Sequence, residues 1–149
     1  MFKNFKFIPV NIPKLYSNEK ANVLKCLKTN WISSEGKFVK EFENNFSKFN
    51  ERKYGIAVSS GTAALEVAIK SLNLKKNSEV IIPAFSIIST ALCVIKCGLK
   101  PILTDCNILT WNVDSKEIIK KINKKTSAII LTHIYVLPLD LSNILRITK

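Results

Sequence analysis

From Tyr54 onward the sequence alternates short apolar runs with amphipathic stretches of about ten residues, the pattern of strands joined by crossover helices. Residues 54–58 read as a short buried strand, 59–62 as a turn and 63–72 as a helix. The next strand, 79–82, is ended by Pro83, which brings no ladder donor. Residues 87–97 read as a helix, with Gly98 where a glycine closes a C-terminus. Apolar strands follow at 102–104 and 127–132. Between them Asp114-Ser115-Lys116-Glu117 is a capping-box pattern opening a helix to about Ile122, and 141–147 begins another helix. Parallel strands covered by helices on both faces make the expected class α/β, in three layers, α/β/α, with a mainly parallel sheet.

The first fifty residues follow another pattern. Residues 1–16 are extended and marked by prolines, and Ser17 is placed to cap a helix over 18–28. A polar turn spans 31–36. Phe38, Phe42, Phe46 and Phe49 then recur at helical spacing, which puts four rings on one face and predicts core packing for them. The expected division is a 1–50 extended and helical segment and a 51–149 α/β domain. The helical pattern is still running at Lys149 without a cap, which predicts that this domain is incomplete.

Composition closes off several classes. At 47% hydrophobic and 23% charged residues the chain is not a disordered tail. The longest uncharged stretch, 80–95, is broken by Pro83 and hydroxyl residues and falls short of the ~18–20 residues a membrane helix needs. Pro9 and Pro13 interrupt any signal-peptide core, so a cytoplasmic protein without a membrane partner is expected. The net charge of +12 comes almost wholly from lysine and is spread evenly along the sequence, whereas nucleic-acid sites concentrate charge and favour arginine. No nucleic-acid partner is expected. Cys26, Cys93, Cys97 and Cys106 form no CxxC pair, and His133 is the single histidine, so reduced, partly buried thiols and no metal site are expected.

Ser59-Ser60-Gly61-Thr62 stands between a strand and a helix start. Unpaired backbone N–H groups and the positive end of a helix dipole would suit a phosphate there, with Gly61 permitting close approach and Thr62 adding a hydroxyl. Ordinary N-cap chemistry explains the same residues, so the motif alone leaves both readings open.

Its neighbours narrow the choice. Trp31-Ile32-Ser33-Ser34-Glu35-Gly36, Ser59-Ser60-Gly61-Thr62-Ala63-Ala64-Leu65 and Glu79-Val80-Ile81-Ile82-Pro83-Ala84-Phe85-Ser86 come in order. Lys100-Pro101-Ile102, Asp105, Thr110-Trp111-Asn112-Val113-Asp114 and Lys125-Thr126-Ser127-Ala128-Ile129-Ile130 follow, with His133 and Tyr135 after them. Over nearly its whole length the chain thus resembles the N-terminal part of the DegT/StrS-type sugar-nucleotide aminotransferases, and the stretch at 31–36 looks most like their GDP-perosamine synthase branch.

The resemblance implies a pyridoxal 5'-phosphate enzyme of aminotransferase fold type I, homodimeric, that moves an amino group from glutamate to a nucleotide-linked keto sugar in polysaccharide or O-antigen biosynthesis. Residues 51–149 would be an incomplete pyridoxal-phosphate-binding large domain. By position, Gly61 and Thr62 would hold the cofactor phosphate, and Ile87 would lie against the pyridine ring, where relatives are similar to one another in using an aromatic. The acidic partner of the pyridine nitrogen and the Schiff-base lysine of the family have no counterpart in this stretch. No catalytic residue is therefore assigned, and the segment by itself is expected to be inactive. A same-fold sugar dehydratase and a non-catalytic binding or regulatory remnant are the alternatives. The implied strand arrangement puts 79–82 between 102–104 and 127–132, with 54–58 at the far side of the sheet. His133 reads as a hydrogen-bonded structural histidine. After Tyr135 relatives have glycine, so Val136 would be strained if that position has φ > 0.

Overall fold

The computed structural model describes residues 7–148, so the first six residues and Lys149 lie outside the described part. The chain divides into two compact units, Met1–Ala57 and Val58–Lys149.

The first unit holds α1 (Glu19–Lys28) and α2 (Lys37–Phe49). Asn18, not Ser17, is the N-cap of α1 and makes no side-chain cap hydrogen bond, while the Ser17 N–H donates to the Glu19 carboxylate at 2.8 Å. On α2 the rings of Phe42 and Phe46 stack with centroids 5.5 Å apart, as helical spacing requires. The expected core role fails, however. Phe42 and Phe46 are more than half exposed and Phe49 is 84% exposed, while the buried residue of the helix is Ser47. Periodicity placed the rings on one face, but no element among the described residues of the unit covers that face.

Residues 54–58 are likewise not the buried strand expected. They have no ladder partner among the described residues, and Tyr54 and Ile56 are about three-quarters exposed. The segment is held instead by α2. The Ala57 N–H donates to Glu43 Oε1 at 2.8 Å, and Gly55 comes so close that a Cβ there would lie 2.6 Å from the Glu43 carbonyl oxygen. One side-chain carboxylate thus does for one N–H what a neighbouring strand would do for the whole run.

The second unit is a three-layer sandwich. Its elements are α3 (Gly61–Ser71), β1 (Glu79–Pro83), α4 (Ser89–Lys96), β2 (Lys100–Thr104), α5 (Ser115–Lys121), β3 (Thr126–Ile129), a 3-10 turn (Ile134–Val136) and α6 (Ser142–Ile147). The sheet runs β2-β1-β3, all parallel, as the resemblance implied for these three runs. Alternation along β1 splits the core. Val80 and Ile82 join Ile69, Cys93, Val94 and Leu99 under α3 and α4. Ile81 points the other way, to Val113, Ile118 and Ile144 under α5 and α6. All three β1 residues are essentially inaccessible to solvent.

The third strand stops at Ile129, short of the expected Thr132, although the Ile130 N–H still donates to the Ile81 carbonyl at 2.9 Å. Between Glu79↔Thr126 and Val80↔Ala128 the register skips Ser127. That bulged residue is anchored through its hydroxyl to Ser78 Oγ at 2.8 Å and the Glu79 carbonyl at 3.3 Å. The C-terminus of α4 is closed as expected. Gly98 adopts φ +72°, its N–H donates to Ile95, the Leu99 N–H donates to Val94, and Leu99 joins Val94 in the core. No helix among the described residues is long and apolar enough to cross a membrane.

Candidate cofactor-binding edge

Because the strands are parallel, the helices before and after β1 both begin at its carboxyl edge, the usual place for a ligand in an open α/β sheet. The N-terminus of α3 lies there. Ser60 caps it in an extended conformation, its Oγ accepting the Ala63 N–H at 3.2 Å while its carbonyl accepts the Ala64 N–H at 3.0 Å. Gly61 and Thr62, expected in a turn, are the first two residues of the helix. No hydrogen bond among the described residues occupies either of their N–H groups. A Cβ on Gly61 would meet nothing within 4 Å, so the approach to those donors is open space. Two free N–H groups at the positive end of a helix dipole fit a phosphate.

Behind this turn α4 packs against α3, and the Cys93 thiol donates to the Thr62 carbonyl at 3.3 Å. Ile87 lies in the loop entering α4 rather than in the helix as expected, its carbonyl accepting the Thr90 N–H at 3.1 Å. It is 71% exposed, and Ile88 beside it is similarly exposed, so both offer apolar surface on this edge. Ser86 Oγ stands 3.2 Å from Thr132 Oγ1 and 3.4 Å from Thr90 Oγ1, tying the end of β1 to the continuation of β3 and to α4.

The loop after β2 completes the edge. Trp111 turns back at φ +59° with its ring 5.0 Å from that of Phe85. Asn112 is buried, and its side chain accepts the Ile134 N–H and donates to the Leu137 carbonyl, both at 2.9 Å. Sequence reasoning noted Asn112 only within a motif. Its role as the clasp of the 134–137 turn needs a contact 22 residues away. His133 accepts the Leu139 N–H at Nδ1, 3.0 Å away, a structural arrangement.

A family profile described as the DegT/DnrJ/EryC1/StrS aminotransferase family matches residues 13–149. The chain belongs to that family. Its relatives include the GDP-perosamine synthase of Escherichia coli O157:H7, 38% identical over 144 residues, which cover 97% of this chain and 40% of the relative. Among solved structures, the aminotransferase from Psychrobacter cryohalolentis superposes with a TM-score of 0.82 at 28% identity, covering 91% of this chain and 35% of the other. The E. coli GDP-4-keto-6-deoxy-D-mannose-3-dehydratase with bound hydrated PLP does so with a TM-score of 0.84 at 28% identity, covering 93% and 37%. The chain thus spans about 40% or less of the length of these proteins.

Two further features of this family member bear on the site. Val136 has φ +69° and follows Tyr135 at φ +48°, so a β-branched residue occupies the left-handed region that suits glycine. The left-handed conformation costs ~1–2 kcal/mol for a residue with a Cβ, against ~0.5–1 kcal/mol of extra chain entropy that glycine loses on folding. Val136→Gly is therefore expected to stabilise the second unit by about 0.5–1 kcal/mol in urea unfolding. A loss of stability instead would show that the turn relaxes around valine. The second feature is the placement of lysine. Among the described residues of the second unit, Lys70, Lys75, Lys76, Lys96 and Lys100 lie at or near the amino edge of the sheet, as do those of 120–125. Only Lys116, in the first turn of α5, starts from the carboxyl edge.

Proposed function

We propose that this chain contributes the N-terminal part of the cofactor site of a pyridoxal-phosphate aminotransferase that transfers the amino group of glutamate to a nucleotide-linked keto sugar. The pair of free N–H groups on Gly61 and Thr62, aimed out of the carboxyl edge in a member of this family, carries the reading. When bound, pyridoxal phosphate supplies an aldehyde that captures an amine and a ring that accepts the electron pair released beside it. The chain's own residues bind and orient. Gly61 and Thr62 donate to phosphate oxygens, the Thr62 hydroxyl adds a third donor, and Ser60 keeps the helix start in place. Ile87 shields one face of the ring and gives up an aromatic stacking contribution of ~0.5–1.5 kcal/mol.

Residues 51–149 act in this reading as an incomplete cofactor-binding large domain, with residues 1–50 as an N-terminal extended and helical segment. Among the described residues only Lys116 starts from the site's edge, and the family's Schiff-base lysine has no counterpart here, so in this reading the stretch does not turn over by itself. A homodimer and a cytoplasmic location belong to the same reading. All four cysteines are free, Cys93 buried and Cys26, Cys97 and Cys106 half-buried, which suits a reducing compartment. A dehydratase acting on a related nucleotide sugar is the second reading, supported by the likeness to the E. coli dehydratase.

The anion site is tested directly with inorganic phosphate. Amide exchange at 61–63 is expected to slow as phosphate is added, and Gly61→Val is expected to abolish that effect. The valine side chain has room in the fold, since a Cβ at 61 touches nothing, but it covers the approach to the donors. Equal protection in the variant would leave only the N-cap role for this turn.

A further inference from the structure

We propose that Cys93 is a positioning residue for the anion site, acting through the Thr62–Ala63 peptide on the Ser60 cap. The inference rests on the phosphate-binding role of Gly61 and Thr62 given above. Cys93 is fully buried on the side of α4 that faces α3, and its Sγ lies 3.3 Å from the Thr62 carbonyl oxygen. The other end of that same peptide unit is the Ala63 N–H, which donates to Ser60 Oγ at 3.2 Å. The thiol, the peptide and the serine hydroxyl therefore form one line of hydrogen bonds. A donor on a peptide carbonyl polarises the unit and strengthens the bond its N–H makes.

The consequence is geometric. The peptide plane next to the free donors is held from behind by the thiol and from in front by the cap. With the plane fixed, the N–H groups of Gly61 and Thr62 stay aimed at one point and lose little freedom when an anion arrives. One turn further along, Cys97 stands against the Glu66 carbonyl, but its Sγ is 4.0 Å away and the peptide it faces is not part of the cap. The two thiols thus provide an internal comparison: each faces a carbonyl of α3, Cys93 from within α4 and buried, Cys97 from its C-cap and half-buried, and only Cys93 is connected to the site.

Residue-resolved amide exchange on Cys93→Ala, Cys93→Ser and Cys97→Ala in the full chain tests this, without ligand and with inorganic phosphate. Without ligand, the Ala63 amide is expected to exchange about threefold or more faster in Cys93→Ala, since its bond to Ser60 is weakened. Cys93→Ser retains a donor to the Thr62 carbonyl and is expected to stay within about twofold of the wild type, as is Cys97→Ala. With phosphate, the concentration giving half-maximal protection of 61–63 should rise in Cys93→Ala alone. Unchanged Ala63 exchange in Cys93→Ala, or an equal acceleration in Cys97→Ala, would overturn the proposal. If phosphate fails to protect the wild type, the anion-site reading falls and the role of Cys93 toward it falls too. Ala63 exchange in Cys93→Ala then separately decides whether the hydrogen-bonded line exists.

Discussion

Mixed with pyridoxal phosphate, reduced with borohydride and digested, the chain is expected to show weak adducts scattered over many lysines and none that dominates. Selective capture needs an amine carried to the aldehyde and desolvated there. Of the helices that begin at the carboxyl edge, which carries the free N–H groups of Gly61 and Thr62, only α5 among the described residues has a lysine in its first turn, and that residue, Lys116, is exposed. The other described lysines of that unit lie at or near the opposite edge. With no lysine at the reacting position, turnover with glutamate is expected to be undetectable, since the covalent step has no nucleophile. Saturable one-to-one capture at a single lysine, Lys116 above all, would show that this chain brings a reacting amine of its own.

The second large effect is in backbone protection. The N–H groups of Ile81 and Ile82 are expected to exchange about a thousandfold more slowly than those of residues 54–58, a spread set by local against global opening. The central strand is paired on both sides and sealed between two core clusters. Residues 54–58 have one anchored N–H, that of Ala57, and side chains open to water. Strong protection at 54–58, especially if it grows with protein concentration, would mean that this segment pairs with a strand of another copy.

That segment also marks where the sequence stopped being informative. Alternating β-branched and aromatic residues at 54–58 look the same whether or not a strand lies alongside, because pairing is decided by residues far away in the chain. The run at 79–83 differed in being apolar on both faces, which only a doubly covered central strand requires, and it is that strand. The phenylalanine stripe of α2 taught the same lesson for helices. Its period fixed which side chains lie together, but burial depends on a covering surface that no helical period encodes. Gly98 and Asp114 were legible because their work is local: one takes φ +72° behind α4, and the other caps Lys116 at 2.8 Å. At the site, Gly61 and Thr62 stood out by type and spacing. Asn112 and Cys93 did not, since each matters through one long-range partner.

The distribution of lysine has a consequence for how anions reach the protein. Along the sequence positive charge is uniform, yet folding sorts the described lysines of the second unit, gathering all but Lys116 about the strand beginnings. Within this unit, long-range attraction, which fades with ionic strength over a Debye length of ~8–10 Å, is therefore expected to favour polyanions at the strand beginnings. The α3 terminus works at contact distance through backbone dipoles, which added salt screens far less. On the proposed reading of the α3 terminus, salt-sensitive attraction and recognition of a single phosphate would thus occupy opposite poles of the same unit.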